Sequence, residues 1–282
     1  MGLKDILVQI DTEGAGAASA RRQGFALSLA AAHDAHLTAV AFALEPTIPP
    51  MIMGEVPGSL LESQRKRALD AAEAAAAAFT AAADRAGVKS EVRVISCTES
   101  AAPPTLAVHG RTSDLVIVGQ SEQDDILAIR DLMTEAVLFE SGRPVLAVPY
   151  IGPDEAKIRN VIVAWDGRRE ASRAANEALP LLSKAETVSV VVVGDSAPSA
   201  RTGEPGADLA LHLTRHGVNV SVKRISDAGI DVSNALLSHA ADSEADLIVM
   251  GGYGHSRLRE FVLGGATRGI LGSMTLPVLM AH

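Results

Sequence analysis

The chain has 282 residues, of which 48% are hydrophobic, 21% are charged and only 3% are aromatic. This composition predicts a folded chain with a core built mainly from Ala, Val, Leu and Ile, and it excludes wholesale disorder. The formal charge of −9 and the isoelectric point near 5.4 exclude a general nucleic-acid binder, which needs a basic face.

The first half of the sequence alternates short apolar runs with longer alanine-rich segments. The apolar runs predict buried strands, and the alanine-rich segments predict helices. In chain order the predicted elements are a strand at Ile6–Asp11, a helix at Ala20–His33, a strand at Leu37–Leu44, a helix at Arg67–Gly87, and strands at Ser90–Ser96, Asp114–Gly119 and Pro144–Pro149. A Pro- and Gly-rich insertion, Pro46–Ser59, precedes the second helix and cannot continue it.

The second half repeats this order of elements. They are a strand at Val161–Asp166, a helix at Arg169–Leu182, and strands at Ser189–Gly194, Val220–Ser226, Asp246–Gly251 and Pro277–Ala281. Three segments of the first half recur in the second: ILVQID as VIVAWD, SDLVIVG as ADLIVMG, and RPVLAVP as TLPVLMA. Recurrence in the same order predicts two related domains, residues 1–150 and 158–282.

Strands that alternate with helices predict parallel, doubly wound α/β sheets with right-handed crossovers and helices on both faces. In such sheets, ligands bind outside the carboxyl ends of the strands, at the point where the strand order reverses. The ends of the first and fourth strands of each half are therefore the expected ligand sites.

The fourth strand of the second half ends in a glycine-rich segment. Gly251 ends the strand, Gly252 and Gly254 follow at once, and Gly264 and Gly265 come after nine further residues. Glycine lets backbone amides approach a phosphate, and a helix starting at Ala266 would add its unpaired amides, with the Thr267 hydroxyl nearby. The spacing alone leaves two interpretations open, a phosphate-binding loop and a pair of tight turns.

The order of first strand, Asp166, glycine segment and PVLM resembles a universal stress protein domain, and the repeat makes the whole chain resemble a tandem, two-domain member of that family. In the family, a G-2x-G-9x-G-[S/T] signature binds the ribose and phosphates of ATP. Gly251, Gly254 and Gly264 match its glycines. The Ser or Thr position is Gly265, so a phosphate contact there would depend on the backbone amide.

The resemblance implies an α/β fold like that of the adenine nucleotide alpha-hydrolases, with five parallel strands per half in the order 3-2-1-4-5. It implies a regulatory stress-response protein that binds ATP, ADP or AMP, with or without Mg²⁺, in its C-terminal domain. It also implies a pseudo-dimer of the two halves through their last strands, and leaves a further homodimer open. The residues that it places around the nucleotide are Ala164, Trp165, Asp166, Val193, Met250, Gly251, Gly254, Gly264, Gly265, Ala266 and Thr267.

The first half departs from this pattern at the glycines. Asp131 and Leu132 stand where the second half has Gly264 and Gly265, and the fourth strand is followed by the acidic segment GQSEQDDIL. Acidic side chains repel phosphates, so we predict a degenerate nucleotide site in this half. A cation site is the alternative to a solvated acidic loop.

Several other side chains could contact phosphate, bind a metal or react as a thiol. Phosphate contacts are conceivable for the basic residues beside the glycines, which are His255, Arg257, Arg259 and Arg268. His212 and His216 have a spacing that permits metal binding, but no third ligand is apparent and no metal site is predicted. Cys97 lacks a CxxC partner and is expected to be an inert thiol.

No catalytic residues are predicted, because the sequence lacks a P-loop, a GxSxG elbow and an HExxH motif. We therefore expect at most weak ATP hydrolysis. Two other functions stay open: an enzyme that makes or breaks an adenylate, and a scaffold whose glycine loops are structural and whose Pro46–Ser59 insertion binds a partner.

A cytoplasmic protein with no membrane partner is expected. The single cysteine excludes an intrachain disulfide framework and suits a reducing compartment. The N-terminal residues MGLKDILVQID do not read as a signal peptide, and no stretch approaches the ~20 apolar residues that span a bilayer.

Overall fold

The structure is a computed structural model that describes residues 2–12, 16–45, 57–121, 129–194, 204–226, 229, 231–252 and 265–282. Its chain divides into two compact units. The N-terminal unit contains Leu3–Arg143 and Pro153–Ala156, and the C-terminal unit contains Pro144–Gly152 and Lys157–His282. No helix in the described ranges combines the length and the apolar character that a membrane span requires.

The described residues of the N-terminal unit form four parallel strands in the order β3-β2-β1-β4. The strands are β1 (Asp5–Ile10), β2 (His36–Glu45), β3 (Ser90–Thr98) and β4 (Leu115–Gly119). The helices are α1 (Ala17–His33), α2 (Gly58–Ala86), α3 (Ala102–Gly110) and α4 (Ile129–Ala136), and a π-helical turn follows at Val137–Ser141. β1 and β4 are almost wholly buried, as expected for inner strands of a parallel sheet.

In the part of the C-terminal unit that the structure describes there are six strands, in the order β5-β10-β9-β6-β7-β8. The strands are β5 (Val145–Val148), β6 (Asn160–Ala164), β7 (Thr187–Val193), β8 (Val220–Ile225), β9 (Leu247–Gly251) and β10 (Val278–Ala281). The helices are α5 (Arg169–Glu177), α6 (Leu179–Leu182), α7 (Ala207–Arg215), α8 (Val232–Asp242) and α9 (Gly265–Ser273). All neighbouring strands are parallel except β5, which pairs with β10 in the antiparallel sense.

The predicted fold class is confirmed. In the C-terminal half the order β8-β7-β6-β9-β10 is the expected 3-2-1-4-5, and β3-β2-β1-β4 follows the same order in the N-terminal half. The fifth strand of the first half, β5, lies in the C-terminal unit, where Leu146 is opposite Leu279 of β10. The sequence repeat assigns β5 to the first domain, whereas the division into compact units places it in the C-terminal unit.

Several helix boundaries differ from the sequence expectation for local reasons. α2 begins at Gly58 rather than Arg67, directly after Pro57. The predicted helix Arg169–Leu182 is divided into α5 and α6 near Pro180, which has no amide to continue the hydrogen-bond ladder.

Two helices were not predicted from the sequence. α3 was missed because its prolines resemble a turn, although proline is well tolerated in a first helical turn. α8 was not predicted either; Asp231 caps it by accepting from the Asn234 amide.

The aspartate that recurs before the fourth strand has a structural role in both halves. Asp114 Oδ2 accepts hydrogen bonds from the amides of Lys4 at 2.7 Å and Asp5 at 3.1 Å. Asp246 Oδ2 accepts from the amides of Arg159 at 2.9 Å and Asn160 at 2.8 Å. Each carboxylate thus ties the start of the fourth strand to the start of the first.

Replacing Asp246 with alanine is expected to lower the free energy of unfolding by about 2 kcal/mol, because two charge-assisted hydrogen bonds are lost together. Urea unfolding measures this change. Asp242→Ala on α8, where the side chain is exposed, is the control and should stay within about 0.5 kcal/mol of the parent. Equal effects of the two substitutions would contradict the role assigned to Asp246.

Candidate functional site

The strand order of the C-terminal half reverses at β6, which pairs with β7 on one side and β9 on the other. The register pairs Ala164 with Val191 and Val163 with Val249. Continued past the strand ends, it places Asp166 level with Val193 and Trp165 level with Gly251. The structure therefore brings the predicted residues of the first, second and fourth strands together at one edge of the sheet, where doubly wound folds bind ligands.

Trp165 is half-buried directly after β6. Its amide donates to the carbonyl of Val191 at 2.9 Å, so β7 fixes its backbone. A Cβ on Gly206, just before α7, would lie 3.6 Å from Cδ1 of the indole, and the φ of Gly206 is +88°. Glycine permits this left-handed conformation and lets the start of α7 approach the tryptophan ring.

Asp166 presents its carboxylate to solvent. Oδ1 accepts a hydrogen bond from the Arg168 amide at 3.0 Å, and Oδ2 lies 3.7 Å from Arg168 Nε. The Asp166 side chain is nevertheless 55% exposed, and Gly167 turns the chain with a φ of +76°. The carboxylate is therefore held by the local turn and stays accessible to a ligand.

Gly251 has a packing role at the end of β9. A Cβ at this position would lie 2.5 Å from the amide nitrogen of Ala171 and 2.7 Å from the carbonyl carbon of Glu170. Both are backbone atoms in the first turn of α5. Only glycine allows this close approach of helix and strand, so the first glycine of the segment is required by the fold itself.

The first turn of α5 already carries negative charge. The Glu170 side chain is only 7% exposed, and Arg169 Nε lies 2.6 Å from its Oε1. Burial would raise the pKa of Glu170, but the hydrogen bond from Arg169, a backbone hydrogen bond and the charges of Arg169 and His282 together outweigh it and hold the pKa below its ordinary value. With Glu170 ionised and Asp166 nearby, this helix start disfavours phosphate, which leaves the α9 side of the edge for an anion.

On the α9 side, Gly265 is exposed and has no described atom within 4 Å of a Cβ built on it. Ala266 is half-buried, whereas Thr267 is only 3% exposed. Met250 of β9 is also buried, at 6% exposure. In this turn, Gly265 is thus the predicted site residue with space for a ligand.

Part of the predicted site lies outside the described residues. This applies to Gly254 and Gly264, and to the basic residues His255, Arg257 and Arg259. Arg268, the remaining basic candidate, is exposed on α9.

The corresponding edge of the N-terminal unit is filled by arginine. Arg22 of α1 is 2% exposed, and its Nη2 lies 2.7 Å from Oδ2 of Asp11, which follows β1. A Cβ on Gly119, at the end of β4, would overlap the Arg22 guanidinium. Arg130 adds a second guanidinium, with Nη2 at 3.6 Å from the same carboxylate oxygen. The space beside β1 and β4 is therefore occupied by the chain's own side chain.

Asp11 is a buried, ionised partner in this cluster. Burial would raise the pKa of its carboxyl, but the charges of Arg22 and Arg130 overcome that effect and lower the pKa from its ordinary value. Asp131 accepts a hydrogen bond from Ser121 at 2.8 Å, and the other acidic residues of the segment, Glu122, Asp124 and Asp125, lie outside the described residues.

The buried position of Arg22 could have been predicted from its spacing on α1, but attention went to the acidic segment that follows β4. Arg22 precedes Phe25, Ala26 and Leu29 at helical spacing, so it lies on the buried face of α1. A lone arginine on an apolar helix face predicts a buried ion pair, and Asp11 at the end of the adjacent strand was its nearest candidate partner.

Among the described residues there is no cluster of three metal-ligating side chains, and the cysteine is a free thiol. Cys97 is a half-buried free thiol, and burial together with the charge of Glu45 raises its pKa. A raised pKa keeps the sulfur protonated and unreactive, in agreement with the expected inert thiol.

Residues 157–282 match the sequence profile of the universal stress protein family. No curated protein sequence matches the chain. The chain is similar to the solved structure of a universal stress protein from Archaeoglobus fulgidus DSM 4304, with 18% identity, a TM-score of 0.70 and coverage of 98% of this chain and 97% of that one. It is also similar to a functionally unknown protein from Pseudomonas aeruginosa PAO1, with 14% identity, a TM-score of 0.55 and coverage of 99% and 92%. These likenesses extend over both halves and show a shared fold.

Proposed function

We propose that the protein is a cytoplasmic regulator of the stress response that binds an adenine nucleotide, because residues 157–282 match the sequence profile of the universal stress protein family. The nucleotide site is in the C-terminal half, and the N-terminal half carries none. The two related halves act as a pseudo-dimer within one chain.

The reversal of strand order at β6 carries this proposal. Trp165, Asp166, Val193 and Gly251 lie at that point, where a doubly wound sheet leaves a crevice at the carboxyl ends of its strands. The indole offers an apolar surface to a base, and the exposed Asp166 carboxylate can accept hydrogen bonds from a ribose.

The phosphates are assigned to the glycine segment and the first turn of α9. The open space at Gly265 allows an anion to approach the backbone amides, and Arg268 supplies a nearby positive charge. The ionised Glu170 in the first turn of α5 repels the phosphates from the start of that helix. A Mg²⁺ ion would be held largely by the phosphates, since no carboxylate cluster for it exists in the described ranges.

The described residues support binding rather than turnover. Asp166 and Glu170 are both engaged by neighbouring arginines, and neither is paired with a nucleophile in the described contacts. ATP hydrolysis is therefore expected to be slow, and the bound nucleotide acts as a signal rather than a substrate. Rapid multiple-turnover consumption of ATP would favour an adenylate-processing enzyme instead.

Millimolar ATP is expected to stabilise the protein by about 2 kcal/mol if the site has a Kd of tens of micromolar. Thermal unfolding with ATP, ADP and AMP measures this stabilisation. Mass spectrometry of the supernatant after denaturation identifies any nucleotide that co-purifies. The single tryptophan, Trp165, provides a second readout through its fluorescence. If no nucleotide were found in the supernatant and ATP changed neither the stability nor the fluorescence, nucleotide binding would be contradicted and the scaffold function would be favoured.

Two glycine variants test where the nucleotide binds. Gly254→Val is expected to abolish the stabilisation, because a side chain would block the approach of the backbone to phosphate. Gly265→Ser restores the hydroxyl of the family signature in an open position and is expected to tighten binding several-fold. If Gly265→Ser folded normally but did not change the affinity, the assignment of phosphate to this turn would be wrong.

A further inference from the structure

Two histidines at the C-terminal end of α7, His212 within the helix and His216 directly after it, lie side by side away from the nucleotide site. His212 and His216 are one helical turn apart, and their ring centroids are separated by 4.7 Å in an edge-to-face arrangement. His212 is half-buried and His216 is exposed, so both imidazoles are accessible from solvent. The sequence predicted no metal site here, although the spacing of the two histidines permits one; in the structure their rings are in direct contact.

A third polar group adjoins the pair. His212 Nε2 lies 3.1 Å from Oδ1 of Asn176, which projects from α5. Asn176 Nδ2 donates to the carbonyl of Ser172 at 2.8 Å, and this bond orients the amide so that its oxygen faces the histidine. The two imidazole rings and the amide oxygen of Asn176 therefore lie close together between α5 and the C-terminal end of α7.

The spacing of these groups matches the dimensions of a metal site. Two imidazoles that share one metal at Zn–N distances of ~2.1 Å have ring centres roughly 5 Å apart. The separation of 4.7 Å needs only rotation of the rings about their side-chain bonds. His212 Nε2 donates a hydrogen bond to Asn176 Oδ1 at 3.1 Å. A bound cation would take the place of that proton, since neighbouring ligand atoms around such an ion are also separated by roughly 3 Å.

We propose that His212 and His216 form a binding site for a late first-row divalent cation such as Zn²⁺, Ni²⁺ or Cu²⁺, with Asn176 Oδ1 beside it. Imidazole nitrogen selects these ions over Mg²⁺ and Ca²⁺, which prefer oxygen ligands. Since no third His, Cys, Asp or Glu side chain joins the pair in the described ranges, water completes the coordination and the ion exchanges freely. The site clamps one turn of α7 and links it to α5.

Isothermal titration of the full-length protein with Zn²⁺ and Ni²⁺ tests this site. His212→Gln and His216→Gln are each expected to weaken binding at least tenfold, because either change leaves a single imidazole. Asn176→Asp is expected to strengthen binding about tenfold, since a carboxylate replaces the neutral amide oxygen as a third ligand. His33→Gln, on the unrelated helix α1, is the matched control and should bind as the parent does.

The absorption spectrum of the Co²⁺-loaded protein gives an independent readout of ligation. Nitrogen-ligated Co²⁺ bands should be present in the parent and lost in both α7 histidine variants. Circular dichroism of each variant shows whether α7 remains folded. Folded His212→Gln and His216→Gln proteins that bind Zn²⁺ as tightly as the parent would overturn the proposal, as would the absence of Zn²⁺, Ni²⁺ and Cu²⁺ binding to the parent.

Discussion

Arg22→Met is expected to lower the free energy of unfolding by about 3–5 kcal/mol, because it removes the charge that compensates a buried carboxylate. Arg22 is 2% exposed, and its partner Asp11 is held below its ordinary pKa by Arg22 and Arg130. Methionine fills much of the same volume but leaves Asp11 with the more distant Arg130 alone. Urea unfolding of the full-length protein measures the loss.

A double-mutant cycle separates the ion pair from simple packing. Asp11→Asn combined with Arg22→Met removes both charges and should recover part of the stability lost in the single variant. Arg67→Met on the exposed face of α2 is the matched control and should change the stability by less than about 0.5 kcal/mol. Similar losses from Arg22→Met and Arg67→Met would contradict the buried pair.

The pH dependence of Arg22→Met follows from the same pair. Since the folded-state pKa of Asp11 is lowered, its contribution is complete above the unfolded value of about 4 and is lost as the pH falls through the lower, folded value. In Arg22→Met, burial opposes ionisation of Asp11, so the ionised carboxylate contributes less to the free energy of unfolding than it does in the parent. The stability difference between parent and variant should therefore narrow on acidification below pH 4.

Gly251→Ala is expected to destabilise the protein by about 3 kcal/mol, at the upper end of overpacking effects. The added methyl group would lie 2.5 Å from the amide nitrogen of Ala171, and backbone atoms of α5 cannot rotate away as a side chain can. The end of β9 and the start of α5 must then separate. Chemical denaturation measures the effect in the absence of nucleotide.

Gly265→Ala is the control for Gly251→Ala. No described atom lies within 4 Å of a Cβ at Gly265, and alanine is favoured over glycine in a helix by roughly 1 kcal/mol. The control should therefore be neutral or more stable than the parent. If both alanine variants lost stability equally, Gly251 would have no special packing role.

Periodicity and the internal repeat predicted the doubly wound α/β class, because strands and helices alternate in both halves and the same segments end or begin equivalent strands. The strand order 3-2-1-4-5 was predicted from the family resemblance. The aspartates that open the fourth strands appeared only as markers of the repeat. Their hydrogen bonds to the amides of Lys4 and Asn160 depend on which strand starts are neighbours, which the sequence does not specify. Long-range contacts of this kind follow from topology rather than from local pattern.

The candidate site was predictable where it depends on strand ends and not where it depends on side-chain packing. Trp165, Asp166 and Val193 come together because parallel strands end at one edge. The interpretation of the N-terminal half as acidic overlooked Arg22, since local charge was counted without the helix face on which each charge lies. Likewise, Gly251 was assigned to phosphate binding, whereas the closest atoms to its missing side chain belong to α5.

The antiparallel pairing of β5 with β10 affects whether either half of this chain could be lost during evolution without harm to the other. A gene duplication first yields two copies that can each be lost without harm to the other. Here, deletion of residues 157–282 would remove β10 and leave the apolar strand Val145–Val148 without the neighbour it pairs with. Deletion of residues 1–156 would expose the matching edge of β10. Loss of either half would therefore leave an unpaired strand edge in the other, so the two halves are expected to be kept together even though only the C-terminal half carries the glycine signature.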